Sequence, residues 1–589
     1  MKKLLVAVSA LIVLMGCAGI PASGPVTKVN TDRSTDQSTV RYSPTGPAKN
    51  ATPQEIIRGY LDAMLAYPVT TGTAASFLTP EAARDWEPSA GVEVYTQPQV
   101  SAPVAKTPML KDGAGNIDKP AVDVHLDVVE DAQLDSHNRF ERLSARKQFV
   151  FRLNQNKGQW RITNPQPGFL VNRKFFDDYY RPLNAYFFDG PGKRLVADPI
   201  YLPVGDQLST ALVSGLLLGP ADLLGKTART YAPVGTRLRT SVPLRTDGLA
   251  EVQFSDDLSS LSDGAQQRLS AQIIWTLRQV EEVTGVRITG GDNVLYPGNR
   301  GIQSIDSWAN FGPKSGDGRF YGVQKGRVVE LSAGNVLAVD GSWGKDARQA
   351  VSIAVDSGRL AVVAGGRNRL TVGSFDSDKV SNFSGKHFLR PIWDDTGSVW
   401  ALDRQGSDTR LRIFEDTRFR QIPIGALAKF RVKSFALSPD GARYAFIADV
   451  AGTSKVYAGS VLRDTKDVVV SLGKPLLLQP NGTNFTSPRS LSWSSATTVT
   501  FLADEAAVGT QIFDSRIDGS YSNGGTASSG ALLPDVDAVT LVTTGDGESI
   551  RYVTDRTGRT WLLRPGGVWE RLDPIGVTAI AASSSSSLR

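Results

Sequence analysis

The chain has 589 residues, 41% of them hydrophobic, and a formal charge of +6 from 65 basic and 59 acidic side chains mixed along its length. That length has room for roughly three to five domains at ~150 residues each, and the even mixing of charge excludes the clustered basic face that nucleic acid requires. A single cysteine excludes internal disulfides, while 57 Gly and 32 Pro against three His and four Met point to a turn-rich protein.

The first element is a targeting segment. Lys2 and Lys3 precede Leu4–Met15, which is apolar apart from Ser9. As a helix this run rises only about 18 Å, short of a ~30 Å hydrocarbon core, so it reads as the core of a signal peptide spanning residues 1–16. Leu14-Met15-Gly16-Cys17 has the form of a bacterial lipobox, with Met15 where a smaller residue is commoner. In that motif the cysteine thiol takes a diacylglycerol and cleavage follows just before it. An ordinary signal peptide that happens to carry a cysteine is the alternative. Two acyl chains at ~0.8 kcal/mol per buried methylene hold a protein stably on a membrane. The expected location is the extracytoplasmic face of the cell membrane, with Cys17 as the lipid attachment site. Residues 17–50 are rich in Ser, Thr, Pro and Gly and read as a lipidated, disordered tether, roughly 30 Å long on average.

The first folded domain is expected over residues 51–182. Thr52-Pro53-Gln54-Glu55 is a capping box with proline at the first helical position. Ile56, Ile57, Tyr60, Leu61, Met64 and Leu65 then form one apolar helical face. Extended segments follow at 121–129, 148–153 and 158–163, with Val122, Val124, Leu126 and Val128 on one side of the first. One helix before an antiparallel sheet predicts an α+β domain, and a curled sheet similar to the NTF2-like cone is the expected form. His125 alternates with the apolar residues and so faces away from that core.

A second α+β domain is expected over 183–297. Strands are predicted at 183–188, 195–202, 249–254 and 286–289. One helix should start at an Asp206 cap, bury Leu208, Leu212, Val213, Leu216 and Leu217, and stop at Gly219-Pro220. A second should start at Ser262, bury Leu269, Ile273, Ile274, Leu277 and Val280, and end near Gly285. The stretch GPADLLGKT at 219–227 resembles a phosphate-binding loop only superficially. It has five residues where that loop needs four, and it follows a helix instead of a strand.

From residue 300 to 589 the pattern becomes short strands and turns. Segments 351–363, 389–402, 434–447, 490–502 and 539–553 each read as an apolar strand, a turn rich in Asp, Gly or Ser, and a second apolar strand. They recur at roughly blade-length intervals, which predicts a β-propeller over a sandwich. Segments 319–331 and 336–340 look like outer strands lacking an inner partner, and 576–581 looks like an inner strand. The C-terminal strand is therefore expected to complete the first blade, for six blades, with seven as the alternative. Asp440-Gly441 and Gly545-Asp546-Gly547 suit tight hairpins. Ser438-Pro439-Asp440-Gly441 has too few oxygen ligands for a calcium loop.

The stretches PQEIIRGYLDAM, YLPVGDQLSTALVSGLLLGP and SFALSPDGARYAFIAD, in the order lipobox, small α+β domain, sporulation-and-germination (GerMN)-like domain, propeller, resemble the LpqB family of actinobacterial lipoproteins. The resemblance implies a partner, the extracytoplasmic sensor region of the MtrB histidine kinase of the MtrAB two-component system, and a role in envelope homeostasis and division. No cofactor is expected. Three functions compete: an accessory that modulates a membrane sensor, a passive binder of cell-wall polymer or small ligand, and an envelope glycan hydrolase. Gly-x-Ser-x-Gly and His-Glu-x-x-His are both missing, and three scattered histidines build no common metal site. A glycosidase needs only two carboxylates. The adjacent pairs Asp256-Asp257 and Glu281-Glu282 are expected to be solvated. No catalytic or metal residue is expected.

Overall fold

Thr52 starts the first helix as its capping box requires. In a computed structural model of the chain, helix Pro53–Ala63 has Thr52 at its N-cap. The Thr52 hydroxyl accepts from Glu55 N–H at 3.3 Å, and the Glu55 carboxylate accepts from Thr52 N–H at 2.8 Å, so two orphan donors are satisfied reciprocally. The structure describes residues 41–583, except 107–120, 222–223, 225–226, 256–257, 296–300, 314–317, 333–334, 347–348, 407, 416–417, 479–484, 507, 521–532, 534–535, 545–549, 565–567 and 573–575. The signal segment, the lipobox, tether residues 17–40 and the turn at 545–547 therefore lie outside the described residues. The described residues from Tyr42 onward pack as one compact unit.

The helix lies on a sheet ordered Gln159–Ile162, Phe140–Asn156, Ala121–Leu134, Val92–Val100, Phe169–Asn172, with the last two parallel and the others antiparallel. Ile56, Ile57 and Tyr60 pack into one core with Val124, Leu126, Phe151 and Leu153. Tyr60 meets Phe151 edge-on at 6.0 Å between ring centres. The domain has more than the one helix expected of it. Pro80–Asp85 and Arg173–Tyr179 are also helical, each with an N-cap side chain (Thr79, Asn172) accepting from the third residue beyond it. Strand Tyr180–Asp189 then runs straight across residue 182, where the sequence suggested a boundary. Tyr180 belongs to the first core, and Ala185 and Phe187 to the next.

In the middle domain Tyr180–Asp189 pairs antiparallel with Leu195–Pro203. Leu249–Phe254 pairs parallel with Gly285–Gly290, and helix Asp263–Leu277 makes the crossover between them. Two helix ends differ from expectation. Leu208 N–H bonds to the Gly205 carbonyl, so a turn precedes helix Leu208–Leu217 and Gln207, not Asp206, is its N-cap. Helix Asp263–Leu277 stops well before Gly285. Beyond it Val280 N–H bonds to Leu277 O and Val283 N–H to Val280 O, in three-residue turns that keep both valines in the core.

Six sheets make up the propeller among the described residues. In each, the opening strand pairs antiparallel with the next, as in Ala350–Asp356 with Arg359–Ala364 and Arg431–Leu437 with Arg443–Val450. In the first sheet the opening place is filled by the C-terminal strand. Val577–Ala582 pairs with Phe320–Gln324, followed by Arg327–Ser332 and Asn335–Ala338. This closes the ring with chain from both ends and removes two free strand edges. Opening strands also bond across blades, as where Leu541 N–H donates to Ser490 Oγ at 2.8 Å.

A chain ending at Pro574 is expected to leave Phe320 and Val323 of the first sheet uncovered. Limited proteolysis should then cut the propeller roughly tenfold faster than in the full chain, with helix Pro53–Ala63 and its sheet digested no faster. Equal rates would mean that the C-terminal strand is not what closes the ring.

Candidate functional site

Segment 195–202, LVADPIYL, is buried at every position. A strand covered on both faces normally carries no charge, yet Asp198 is only 3% exposed. Its carboxylate accepts from Ala221 N–H at 2.7 Å and pairs with Arg139, of the first domain, at 3.3 Å. Burial pushes its carboxyl up, and Arg139 opposes that rise. Arg139 also donates to the Gly219 carbonyl at 2.8 Å, and Tyr201 N–H donates to Asn138 O at 2.8 Å. The hairpin tip at 138–139 thus docks the first domain on this strand.

The propeller grips the same strand at Ala197. Arg443 pairs with Asp440 at 3.0 Å and donates to the Ala197 carbonyl. Asp440 belongs to the turn at 440–441 expected as a tight hairpin, and it is buried and bonded by Ser438 Oγ and Ala442 N–H. Just before the strand, Arg194 joins three carboxylates. It pairs with Asp189 at 3.0 Å within its own domain, and with Asp395 at 2.5 Å and Asp467 in the propeller. Arg463 pairs with Asp467 at 3.4 Å and lies 3.7 Å from Asp394. Burial pushes the Asp395 carboxyl up, and Arg194 holds part of that rise back.

Among the cavities beyond this seam, two bear on function. A cleft of about 620 Å³ in the first domain is lined by Glu81, Asp85, Glu87, Asn154 and Asn156 beside Trp86. Its three carboxylates are exposed, so none sits in the apolar surroundings that raise a general acid. The second, of about 170 Å³, occupies the propeller channel and is lined by the opening strands and the segments leading into them, including Val355, Arg390, Trp393, Phe435, Trp493 and Ala581.

The residues singled out from sequence are not brought together. Leu14, Met15, Gly16 and Cys17 lie outside the described residues, as do Asp256 and Asp257. Glu281 and Glu282 are exposed. His125 is half-buried on its strand, and no group of three His, Cys, Asp or Glu able to hold a metal occurs among the described residues. In the loop-like stretch at 219–227, the Ala221 amide serves Asp198. No helix among the described residues is long and apolar enough to cross a membrane. Sequence reasoning missed the seam, although Asp198 inside an apolar run was a visible sign of it.

The fold and seam define a multidomain propeller protein in which two α+β modules and a six-sheet ring meet on one buried strand. The chain belongs to the LpqB lipoprotein family. Family models described as "Lipoprotein LpqB, N-terminal domain", "Sporulation and spore germination" and "Lipoprotein LpqB beta-propeller domain" match residues 46–177, 184–295 and 326–575. A relative named Lipoprotein LpqB in Cutibacterium acnes is 26% identical over 551 residues, covering 89% of each chain. One of the same name in Mycobacterium bovis BCG is 27% identical over 489 residues, covering 76% of this chain and 79% of its own. Among solved structures, TolB from Acinetobacter baumannii aligns over 56% of this chain and 86% of its own, at 11% identity and a TM-score of 0.34. No catalytic function is indicated by these matches.

Arg194→Met leaves three buried carboxylates without their shared cation and is expected to destabilise the protein by about 3–5 kcal/mol at pH 7. Without Arg194, the Asp395 carboxyl rises further above its unfolded value. The native state then binds more protons than the unfolded one, so stability increases as pH falls through the folded value. Paired urea titrations should show a smaller deficit at pH 5 than at pH 7. A deficit that does not change with pH would show these carboxylates to be solvated.

Proposed function

We propose that this chain is a lipid-anchored, non-enzymatic accessory on the extracytoplasmic face of the cell membrane. It binds the sensor domain of an MtrB-like histidine kinase and shifts it between signalling states in envelope homeostasis and division. The observation that carries this reading is the shared seam, which joins three modules into one continuous body with a wide surface and no catalytic constellation among the described residues. A partner meeting such a surface need not first assemble it, which reduces the ordering cost of binding. Attachment at Cys17 through a tether would hold that surface near any membrane receptor and raise its effective concentration. To modulate the kinase it must bind one of the kinase's states more tightly than the other. No cofactor is needed. The family name of its relatives supports the lipoprotein part of the reading.

The cleft beside Trp86 favours a second reading, a passive binder of cell-wall polymer. Its amides and carboxylates can hydrogen-bond sugar hydroxyls, and its exposed acids argue against hydrolysis.

The full chain in detergent is expected to bind the purified extracytoplasmic domain of the co-resident MtrB-like kinase saturably. No binding at high concentration, together with retention on purified cell wall, would replace the sensor role with the second reading. In cells, Cys17→Ala should move the protein out of the membrane fraction, and unchanged fractionation would remove the anchor.

A further inference from the structure

Arg390 is the unusual residue in the propeller channel. It lies two residues before Ile392–Trp393, the inner strand of the third sheet, and lines the cavity of about 170 Å³. It has no ion-pair or hydrogen-bond partner among the described residues, unlike Arg194, Arg443 and Arg463. The two carboxylates nearest it in sequence line the same cavity but are already engaged. Asp394 accepts from Thr396, Ser398 and Trp400, and Asp395 from Arg194. Burial pushes the Arg390 guanidinium down to about 10, which leaves it charged at neutral pH.

Register shows how unusual the residue is. Trp393, Val355, Leu437 and Trp493 occupy equivalent ladder positions, paired with Val399, Leu360, Tyr444 and Val499. Three residues earlier stand Arg390, Ser352, Ser434 and Ser490 respectively. One cation therefore replaces a small hydroxyl. A second, independent donor faces the same lack. Trp493 lines the cavity, is 3% exposed, and its Nε1–H has no acceptor. A buried donor without a partner costs about 1–3 kcal/mol; Arg390 is half-buried, so its unpaired charge stays partly hydrated and open to a ligand from the channel.

We propose that the propeller channel is a binding site for a small monocarboxylate, held by the Arg390 guanidinium and the Trp493 indole N–H. The planar fork of a guanidinium matches a carboxylate in two-point contact. One cation calls for a single negative charge. Apolar walls at Val355, Phe435 and Leu491 suit a short apolar body better than a multiply charged phosphate. The carboxylate comes either from a free organic acid or from the end of a peptide. This site does not depend on the kinase reading.

Calorimetry on the full chain in non-ionic detergent tests it, with isovalerate, formate, acetyl-Gly-Val, inorganic phosphate and isoamyl alcohol as probes. Isovalerate or acetyl-Gly-Val should bind saturably at one site, and the tighter of the two identifies the source. Isoamyl alcohol, the uncharged counterpart, should bind at least tenfold more weakly. Arg390→Met should weaken carboxylate binding at least tenfold, and Trp493→Phe severalfold. If Arg390→Met does not fold, Arg390→Lys decides, because it keeps the charge and loses the fork: severalfold weaker binding supports the site, and unchanged binding overturns it. The proposal is also overturned if none of the three carboxylates binds, if Arg390→Met binds them as well as the native chain, or if phosphate or the alcohol binds as tightly as isovalerate.

Discussion

A single strand with two charged neighbours organises this molecule. Leu195–Pro203 is covered on both sides, so Asp198 within it and Arg194 just before it must be compensated by whatever covers them. The first domain supplies Arg139 and the propeller supplies Asp395 and Asp467. A buried ion pair adds little net stability compared with an apolar contact of the same shape, but losing one partner is expensive. Such contacts therefore specify which surfaces meet and in what register more than they strengthen the meeting. Tyr201 adds the apolar part, stacking on Phe176 of the first domain at 5.4 Å. Three modules that could each bury a core of their own are in this way held as one unit.

The propeller works by a different constraint. Each sheet leaves an edge, and the ring closes only because the C-terminal strand pairs with Phe320–Gln324. Closure brings the opening strands side by side around a narrow channel. Most of what faces that channel is apolar or hydroxyl-bearing and satisfied locally, as with Ser492 and Thr543, whose side chains bond at 2.9 Å. Arg390 and the Trp493 indole stand out against this background. Asp395 lines the channel and also pairs with Arg194, so the channel and the seam share a residue.

Much of the fold was legible because it rests on short-range rules. The Thr52–Glu55 box, the apolar face after it, and the recurring strand-turn-strand segments are each set by neighbours in sequence. The strand at 576–581 could be matched to the first blade because the segments at 319–331 and 336–340 lacked an inner strand, and Val577–Ala582 pairs there. Helix ends were less legible. Gly205 forms a turn that moved one start to Gln207, and three-residue turns after Leu277 replaced the helix expected to reach Gly285. Tertiary packing of Val280 and Val283 decided that second case, because the turns place both in the core.

The sequence by itself determined the class of each module, the strand-turn-strand unit of the blades and the closing role of the last strand. All of these follow from local periodicity, caps and motif spacing. Only the tertiary structure decided that the turn at Asp440 is buried as an anchor, that Arg194 meets Asp395 and Asp467, and that Arg390 meets no carboxylate among the described residues. Arg194 lies more than 200 residues from Asp395 and Asp467. Whether a charge is paired depends on which distant surface covers it, and no periodicity along the chain records that.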